Sequence, residues 1–160
     1  MMRKKAIISA CLLGEFCRYD GKAKQVNEII EAFCEYEIIP FCPEAPLFGT
    51  PRERISVIRI NGENRIVTDK TQEDVTETLK NEINTFTEKN SHADAIILKS
   101  KSPSCGFGTT PILNEQKELI TCGNGIAAQI LSNLFPHAKI VDEIEVINLY
   151  NIDKQKGATC

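Results

Sequence analysis

The sequence lacks three features that would assign it to a common class of protein. No apolar run is long enough to cross a bilayer, so we predict no membrane-spanning segment. No cluster of lysine and arginine stands out, and the net charge of −3 gives no electrostatic footprint for binding DNA. The basic start is followed too soon by Glu15, Arg18 and Asp20 to resemble a signal peptide. We therefore expect a cytoplasmic protein.

Internal repeats, low-complexity segments and linker-like stretches are also absent from the sequence. The 160 residues fit one domain, and 42% apolar with 26% charged residues is ordinary for a globular protein. We therefore predict a single domain over residues 1–160. The chain has only two histidines, His92 and His137, and we expect both at the surface, away from the cysteine motifs.

Cysteine, in contrast, is abundant, with seven residues in the chain. The number is odd and the spacing irregular, which indicates neither a secreted disulfide framework nor a compact Cys-x-x-Cys metal motif. In a reducing compartment, use as metal ligands or catalytic groups explains several of these thiols better. The remaining ones are expected to be ordinary buried apolar residues.

Apolar periodicity alternates between strands and helices in the order typical of an α/β fold. Strands are predicted at residues 5–11, 37–42, 95–99 and 139–141, and a β-hairpin at 55–67. Helices are predicted at residues 26–33, at 72–89 and from Gly123 onward, and nonhelical segments at 43–51, 100–121 and 155–160. The pattern predicts a three-layer Rossmann-like domain with a mostly parallel sheet and a small β-hairpin insertion.

Three cysteines, Cys11, Cys42 and Cys105, each follow a buried apolar run at the point where a loop begins. Parallel strands place their carboxyl ends at one edge of a sheet, where open α/β folds bind ligands. Three thiols at such an edge can hold a soft metal or an iron–sulfur cluster and leave one coordination position free. The alternative is that two of the three are core cysteines at strand ends.

Polar side chains beside these cysteines add candidate functional groups. Glu44 lies two residues beyond Cys42, and Ser102 and Ser104 flank Pro103. A carboxylate and hydroxyls next to an open metal site can deprotonate water or orient a polar substrate. In the alternative, Glu44 is solvated and the serines form turn hydrogen bonds.

Several blocks of the sequence resemble the domain-of-unknown-function 523 family, which includes 2-thiouracil desulfurases. The blocks are Ser9–Gly14, Arg18–Gly21, Cys42–Glu44, Thr50–Arg52 and Ser102–Gly106. The resemblance implies an α/β domain that carries a [4Fe–4S] cluster on Cys11, Cys42 and Cys105, with the fourth iron open. It also implies non-redox desulfuration of a small thiolated compound such as 2-thiouracil, in which the substrate sulfur binds the open iron and water replaces it at carbon.

Within this resemblance, Glu44 and Ser102 are the expected catalytic residues, which assist proton transfer and position the substrate. Arg18, Asp20 and Ser104 are the expected substrate contacts. Cys17 lies beside Arg18 and could approach the cluster, although we favour a role other than ligation.

Two further hypotheses use the same thiols. One is a zinc enzyme or a zinc-stabilised domain with water in the fourth position. The other is a sulfur carrier or a protein that binds thiolated RNA without turnover, although the acidic charge balance argues against tight RNA binding. The expected partners are a small thiolated substrate and the iron–sulfur assembly machinery. The sequence leaves the oligomeric state open.

Overall fold

The computed structural model describes residues 3–155 and has the predicted α/β architecture. The strands are β1 (Lys5–Ser9), β2 (Glu37–Phe41), β3 (Ile55–Ile60), β4 (Glu63–Thr68), β5 (Ala95–Leu98), β6 (Thr110–Leu113), β7 (Leu119–Gly123) and β8 (Lys139–Asp142). The helices are α1 (Asn27–Ala32), α2 (Ala45–Phe48), α3 (Thr76–Lys89), α4 (Ile126–Leu134) and α5 (Glu143–Gln155), with a 3-10 helix at Ala10–Leu13. Within residues 3–155, no helix has the length and apolarity needed to span a membrane.

Four strands form an all-parallel sheet, sheet A, in the order β2-β1-β5-β8. Side chains alternate between its two faces, so that Ala6 and Ile8 join one buried cluster and Ile7 joins another. The first cluster includes Ile29 of α1 and Val146 of α5, whereas α3 and α4 pack on the opposite face. Both faces are covered, which explains why these strands are continuous apolar runs and confirms three layers.

A second sheet, sheet B, has the order β4-β3-β6-β7 and packs against α3. The predicted hairpin is confirmed as β3 and β4, with Asn61 and Gly62 at positive φ in its two-residue turn. The hairpin belongs to a larger unit than predicted, because β6 pairs in parallel with β3 and β7 pairs with β6. Ile112 of β6 is buried together with Leu79 of α3.

The prediction of a loop over residues 100–121 is therefore wrong in its second half. Strand β6 contains Pro111, which is followed by only two apolar residues. The apolar pattern is therefore too short to predict a strand. The turn between β6 and β7 is closed by Asn114, whose side-chain oxygen accepts hydrogen bonds from two backbone N–H groups. Cys122 consequently lies exposed on β7, and α4 begins at Ile126 instead of Gly123.

Three helices also differ from the prediction. A short helix, α2, interrupts the predicted nonhelical segment 43–51, with Pro46 in the first turn, where no N–H group is needed. Helix α3 begins at Thr76 because Asp74 instead forms an isolated bridge with Val67. The sequence does not predict helix α5, since three of its large apolar residues are exposed and its periodicity is weak. Of the predicted frayed tail, Gln155 ends α5, and residues 156–160 lie outside the described part of the chain.

Candidate active site

The three strand-end cysteines line one cavity at the carboxyl edge of sheet A. Cys11 lies in the 3-10 helix after β1, Cys42 directly follows β2, and Cys105 lies in the loop after β5. Because β2, β1 and β5 are adjacent in the sheet, their three following segments converge. The cavity has a volume of about 430 Å³ and extends between sheet A and residues of β3 and β6.

A fourth thiol, Cys17, lines the same cavity. A side-chain hydrogen bond with Cys17 lowers the pKa of Cys11, and the same contact raises the pKa of Cys17 to about 11. The thiol of Cys17 also contacts the thiol of Cys42, whose pKa is raised by this hydrogen bond and by burial. Metal binding requires deprotonated thiols, and the lowered pKa of Cys11 favours that form.

A backbone N–H group contacts the Cys42 thiol, and a hydroxyl contacts the Cys105 thiol. The Ala45 N–H donates to the Cys42 sulfur at 3.4 Å, at the beginning of α2. Cys105 is buried, and desolvation raises the pKa of its thiol to about 12. The Ser104 hydroxyl lies 3.6 Å from the Cys105 sulfur. A metal ion that replaces the thiol proton offsets the free-energy cost of burying a thiolate. The sites of Cys42 and Cys105 therefore favour a bound cation.

Close backbone packing fixes the loop that carries Cys105. The Thr110 hydroxyl donates to the Ser102 carbonyl at 2.6 Å, and the Ala127 N–H of α4 donates to the Ser104 carbonyl at 2.8 Å. A Cβ atom on Gly125 would lie only 2.5 Å from the carbonyl carbon and oxygen of Ser104. Glycine is therefore required there for α4 to approach the cysteine loop.

Glu44 is a buried carboxylate with a charged and a neutral partner. The Ser104 hydroxyl donates to its Oε2 at 2.6 Å, and the Arg52 Nε lies 3.4 Å from its Oε1. Only about a tenth of the Glu44 side chain is exposed, and both Glu44 and Arg52 line the cavity. The two partners fix the carboxylate beside the thiols, as a proton-transferring group requires.

The strand-end lysine, Lys99, belongs to a second buried network. Its Nζ lies 3.1 Å from Oε1 of Glu143, the first residue of α5, and the Ser100 N–H donates to Oε2 at 2.8 Å. Burial by itself would raise the pKa of Glu143, but the hydrogen bonds from Ser100 outweigh it and hold the pKa below its usual range. Lys99 lines the cavity, and its positive charge favours the Cys11 thiolate.

Most of the predicted site residues lie together, and one does not. Cys11, Cys42, Cys105, Glu44, Ser102, Ser104 and Arg18 all line the cavity. Asp20 is absent from the cavity wall, and its carboxylate accepts a hydrogen bond from the Lys22 N–H in a local turn. We therefore find no support for Asp20 as a substrate contact.

The sequence did not predict the roles of three charged residues, namely the cavity-lining Arg52 and Arg54 and the buried Glu143. Arg52 lies in the Thr50–Arg52 block, but nothing local indicates that its side chain reaches Glu44. Arg54 stacks over the Tyr19 ring, 4.5 Å from the ring centroid. Glu143 gives no signal in the sequence, because α5 itself is not predicted. The two arginines add positive charge to a wall that also carries four thiols.

The chemistry of the donors allows a test of which metal group would fit. Among residues 3–155, no three His, Cys, Asp or Glu side chains form a group that could hold a single metal ion. A zinc ion requires all its sulfur ligands about 2.3 Å from one centre. An iron–sulfur cluster distributes its ligands, which are usually cysteine thiolates, over several irons. The three thiols that line this cavity are donors of the type that an iron–sulfur cluster takes, and the zinc alternative gains no support.

These features define an α/β protein with a thiol-lined cavity at the carboxyl edge of a parallel sheet. The family model of 2-thiouracil desulfurase matches residues 6–143, and the chain belongs to this family of desulfurase enzymes. The resemblance on which the sequence interpretation depended is thereby confirmed.

The chain is also similar to two known proteins. The chain is 36% identical to the uncharacterised protein YbbK of Bacillus subtilis (strain 168) in an alignment of 134 residues, which covers 78% of this chain and 87% of that protein. A solved structure of the [4Fe–4S]-dependent thiouracil desulfidase TudS is similar with a TM-score of 0.69 at 28% identity. That similarity covers 96% of this chain and 99% of the other, so nearly the whole fold is shared.

Proposed function

We propose that this protein removes sulfur from a small thiolated compound such as 2-thiouracil in a non-redox reaction that depends on a [4Fe–4S] cluster. The observation that carries the proposal is the convergence of Cys11, Cys42 and Cys105 on one cavity. Family membership and the similarity to TudS support the same reaction. In this proposal the three cysteines hold the cluster and leave one iron free.

When bound, the cluster would supply a soft Lewis acid that polarises the carbon–sulfur double bond of the substrate. The net reaction replaces C=S by C=O, consumes one water and produces hydrogen sulfide, so no electrons are gained or lost. The work left to the polypeptide is to bind the substrate, to orient the attacking water and to move its proton.

Glu44 is the residue that we assign to proton transfer from water. Its carboxylate lies at the cavity wall and is held by Ser104 and Arg52 in one orientation. A fixed base needs no reorganisation during the reaction. Ser102 also lines the cavity, and its hydroxyl already accepts the Cys105 N–H at 3.1 Å. We therefore assign Ser102 to positioning the cysteine loop and the substrate together.

Arg18 and Arg52 are assigned to the substrate-facing wall. Arg18 follows Cys17 in the loop between the 3-10 helix and α1. The backbone N–H of Arg52, in the loop between α2 and β3, donates to the Tyr19 carbonyl at 2.8 Å. This hydrogen bond joins the two loops at the mouth of the cavity. The proposal further includes a single domain over residues 1–160, a cytoplasmic location and delivery of the cluster by the iron–sulfur assembly machinery.

The decisive experiment is metal analysis combined with turnover on anaerobically purified protein. We expect about four irons and four acid-labile sulfides per chain and conversion of 2-thiouracil to uracil with release of sulfide. Cys105→Ser should lose the cluster and the activity together. Cys122→Ser is the matched control, because Cys122 is exposed on β7 and absent from the cavity wall.

Three outcomes would contradict the proposal. Zinc without acid-labile sulfide would favour the zinc hypothesis. A full cluster that releases no sulfur over many equivalents of 2-thiouracil and other thiolated bases would favour a carrier. A Cys105→Ser variant with an intact cluster would contradict the ligand assignment.

A further inference from the structure

Sheet B provides a wall of the cavity to which the proposed function assigns no role. Val57 of β3 and Ile112 of β6 are buried in the apolar cluster with α3. Because side chains alternate along a strand, Ser56, Pro111 and Leu113 lie on the opposite face of the sheet, and all three line the cavity. This wall therefore presents mainly apolar surface and one hydroxyl.

Asp69, the residue after β4, adds a carboxylate to the same wall. The Ser56 hydroxyl donates to its Oδ1 at 2.7 Å, and its backbone N–H donates to the Arg54 carbonyl at 2.9 Å. Both the side chain and the backbone of Asp69 are thus held by the segment that contains β3. These two contacts fix the position of the carboxylate at the cavity.

The second carboxylate oxygen of Asp69 has no partner within residues 3–155. No hydrogen bond reaches Oδ2, and none of the ion pairs in this part of the chain involves Asp69. Two cations of the cavity wall are paired elsewhere, Arg52 with Glu44 and Lys99 with Glu143. Oδ2 is therefore able to accept a hydrogen bond from a molecule bound in the cavity.

We propose that Asp69 determines substrate specificity by accepting a hydrogen bond from a ring N–H group of the thiolated substrate. The substrate class is then a thiolated heterocycle that carries an unsubstituted ring N–H. Ligand sites typically combine apolar walls with a few well-placed polar groups that fix the orientation of the ligand. Here Pro111 and Leu113 supply the apolar surface, and Ser56 positions the carboxylate. The inference rests on the proposed function, because it concerns the substrate of the same site.

The selectivity follows from the chemistry of a carboxylate, which accepts hydrogen bonds and donates none. A methyl group in place of the N–H hydrogen leaves Oδ2 of Asp69 facing an apolar group, without the water that the substrate has displaced. A site that is built to bind a donor rejects an analogue without it far more strongly than an apolar pocket rejects a change in size.

The test compares 2-thiouracil with its 1-methyl and 3-methyl isomers. In the wild type, one of the two isomers should have a kcat/KM about 10- to 100-fold below that of 2-thiouracil. Asp69→Ala should lower kcat/KM for 2-thiouracil to the same level, mainly through a higher KM, and should remove the preference. Asp69→Asn should show the same loss, because its NH2 group takes the place of Oδ2 and cannot accept the N–H.

Two further variants complete the experiment, with iron and acid-labile sulfide measured in each. Glu63→Ala is the matched control, because Glu63 is an exposed acid on β4 that does not line the cavity, and it should match the wild type on all three substrates. Ser56→Ala should raise KM for 2-thiouracil by a smaller factor than Asp69→Ala and leave kcat unchanged.

The inference can be overturned with or without the variants. Equal kcat/KM of the wild type for all three substrates would overturn it directly. An unchanged KM for 2-thiouracil in Asp69→Ala, or an equal loss on all three substrates, would do the same, since an equal loss indicates a role that does not depend on the N–H.

Failure of the proposed function is distinguishable from failure of this inference. A wild type that turns over no thiolated base contradicts the proposed function, and equilibrium dialysis of 2-thiouracil then tests Asp69 separately. Equal retention of 2-thiouracil by wild type and Asp69→Ala would overturn the inference. Turnover without a preference between the three substrates would contradict only the role of Asp69.

Discussion

The buried network around Glu143 predicts a stability effect that can be separated from catalysis. In Glu143→Gln the side chain keeps its size but loses its charge, so the pairing with Lys99 at 3.1 Å disappears. One of the two hydrogen bonds from Ser100 then meets an amide NH2 group, which cannot accept it. The change therefore affects the anchor of the loop that carries Cys105, without touching the cavity thiols.

The magnitude follows from the ion pair and the hydrogen bond that the substitution removes. A hydrogen bond to a charged, buried group contributes about 1.5–3 kcal/mol, and an unsatisfied buried donor adds a similar penalty. The Glu143 side chain is only 9% exposed, so solvent screens little of this effect. We expect the free energy of unfolding at pH 7 to fall by about 2–3 kcal/mol in Glu143→Gln.

Glu145→Gln is the matched control, because Glu145 lies in the same first turn of α5 and is exposed. Both variants remove one negative charge from the helix N-terminus, where it contributes about 0.3–1 kcal/mol. Urea unfolding of the cluster-free proteins, followed by circular dichroism, measures the difference. An equal decrease in stability in the two variants would refute the network argument.

The pH dependence gives the same prediction a second check. The pKa of Glu143 is held below its usual range in the folded protein, so its carboxylate stabilises the fold at neutral pH. This stabilisation is lost as the pH falls through the folded pKa, because both states are then protonated. The difference between wild type and Glu143→Gln should therefore shrink as the pH falls below about 4. A difference independent of pH would indicate a packing effect instead.

Two further predictions concern other carboxylates. Glu44→Gln should retain iron and acid-labile sulfide but lower kcat for 2-thiouracil by about 10²–10⁴, and an unchanged kcat would remove Glu44 from the mechanism. Burial would raise the pKa of Asp74, but Arg65 at 2.7 Å and Thr76 outweigh it and set the pKa to about 2. Asp74 is partly exposed, so solvent screens its ion pair with Arg65. Asp74→Asn should therefore lower the free energy of unfolding by about 1 kcal/mol at pH 7. This decrease should become smaller between about pH 4 and pH 2. An undiminished cost at about pH 2.5 would contradict the ion-pair argument.

The sequence predicted the parallel sheet, whose central strands β1 and β5 are buried on both faces. The strands of sheet A are continuous apolar runs, and their order along the chain is sufficient to place Cys11, Cys42 and Cys105 at one edge. Family blocks then supplied the expected chemistry of Glu44 and Ser102. Their roles remain predictions, whereas their place at the cavity is a structural finding.

Sheet B and α5 could not be predicted, because their stability depends on distant partners. Strand β6 is short and contains Pro111, so its conformation is determined by pairing with β3 and β7. The partners of Glu44 and Glu143 were not predictable for the same reason. Arg52 and Ser104 approach Glu44 from two different loops, and only the assembled sheet brings these loops together.

The strand order of sheet A has a consequence for biosynthesis. Strand β5 pairs with β1, yet it is synthesised long after β2 and carries the segment that leads to Cys105. A nascent chain that contains only the first two strands of this sheet contains Cys11 and Cys42 without Cys105. The cysteine set is complete only after contacts of high sequence separation have formed, which is a slow type of folding event. With the three cysteines as the proposed ligands, insertion of the cluster follows synthesis of the chain beyond Cys105, and the colour of the cluster would report completed folding in vivo.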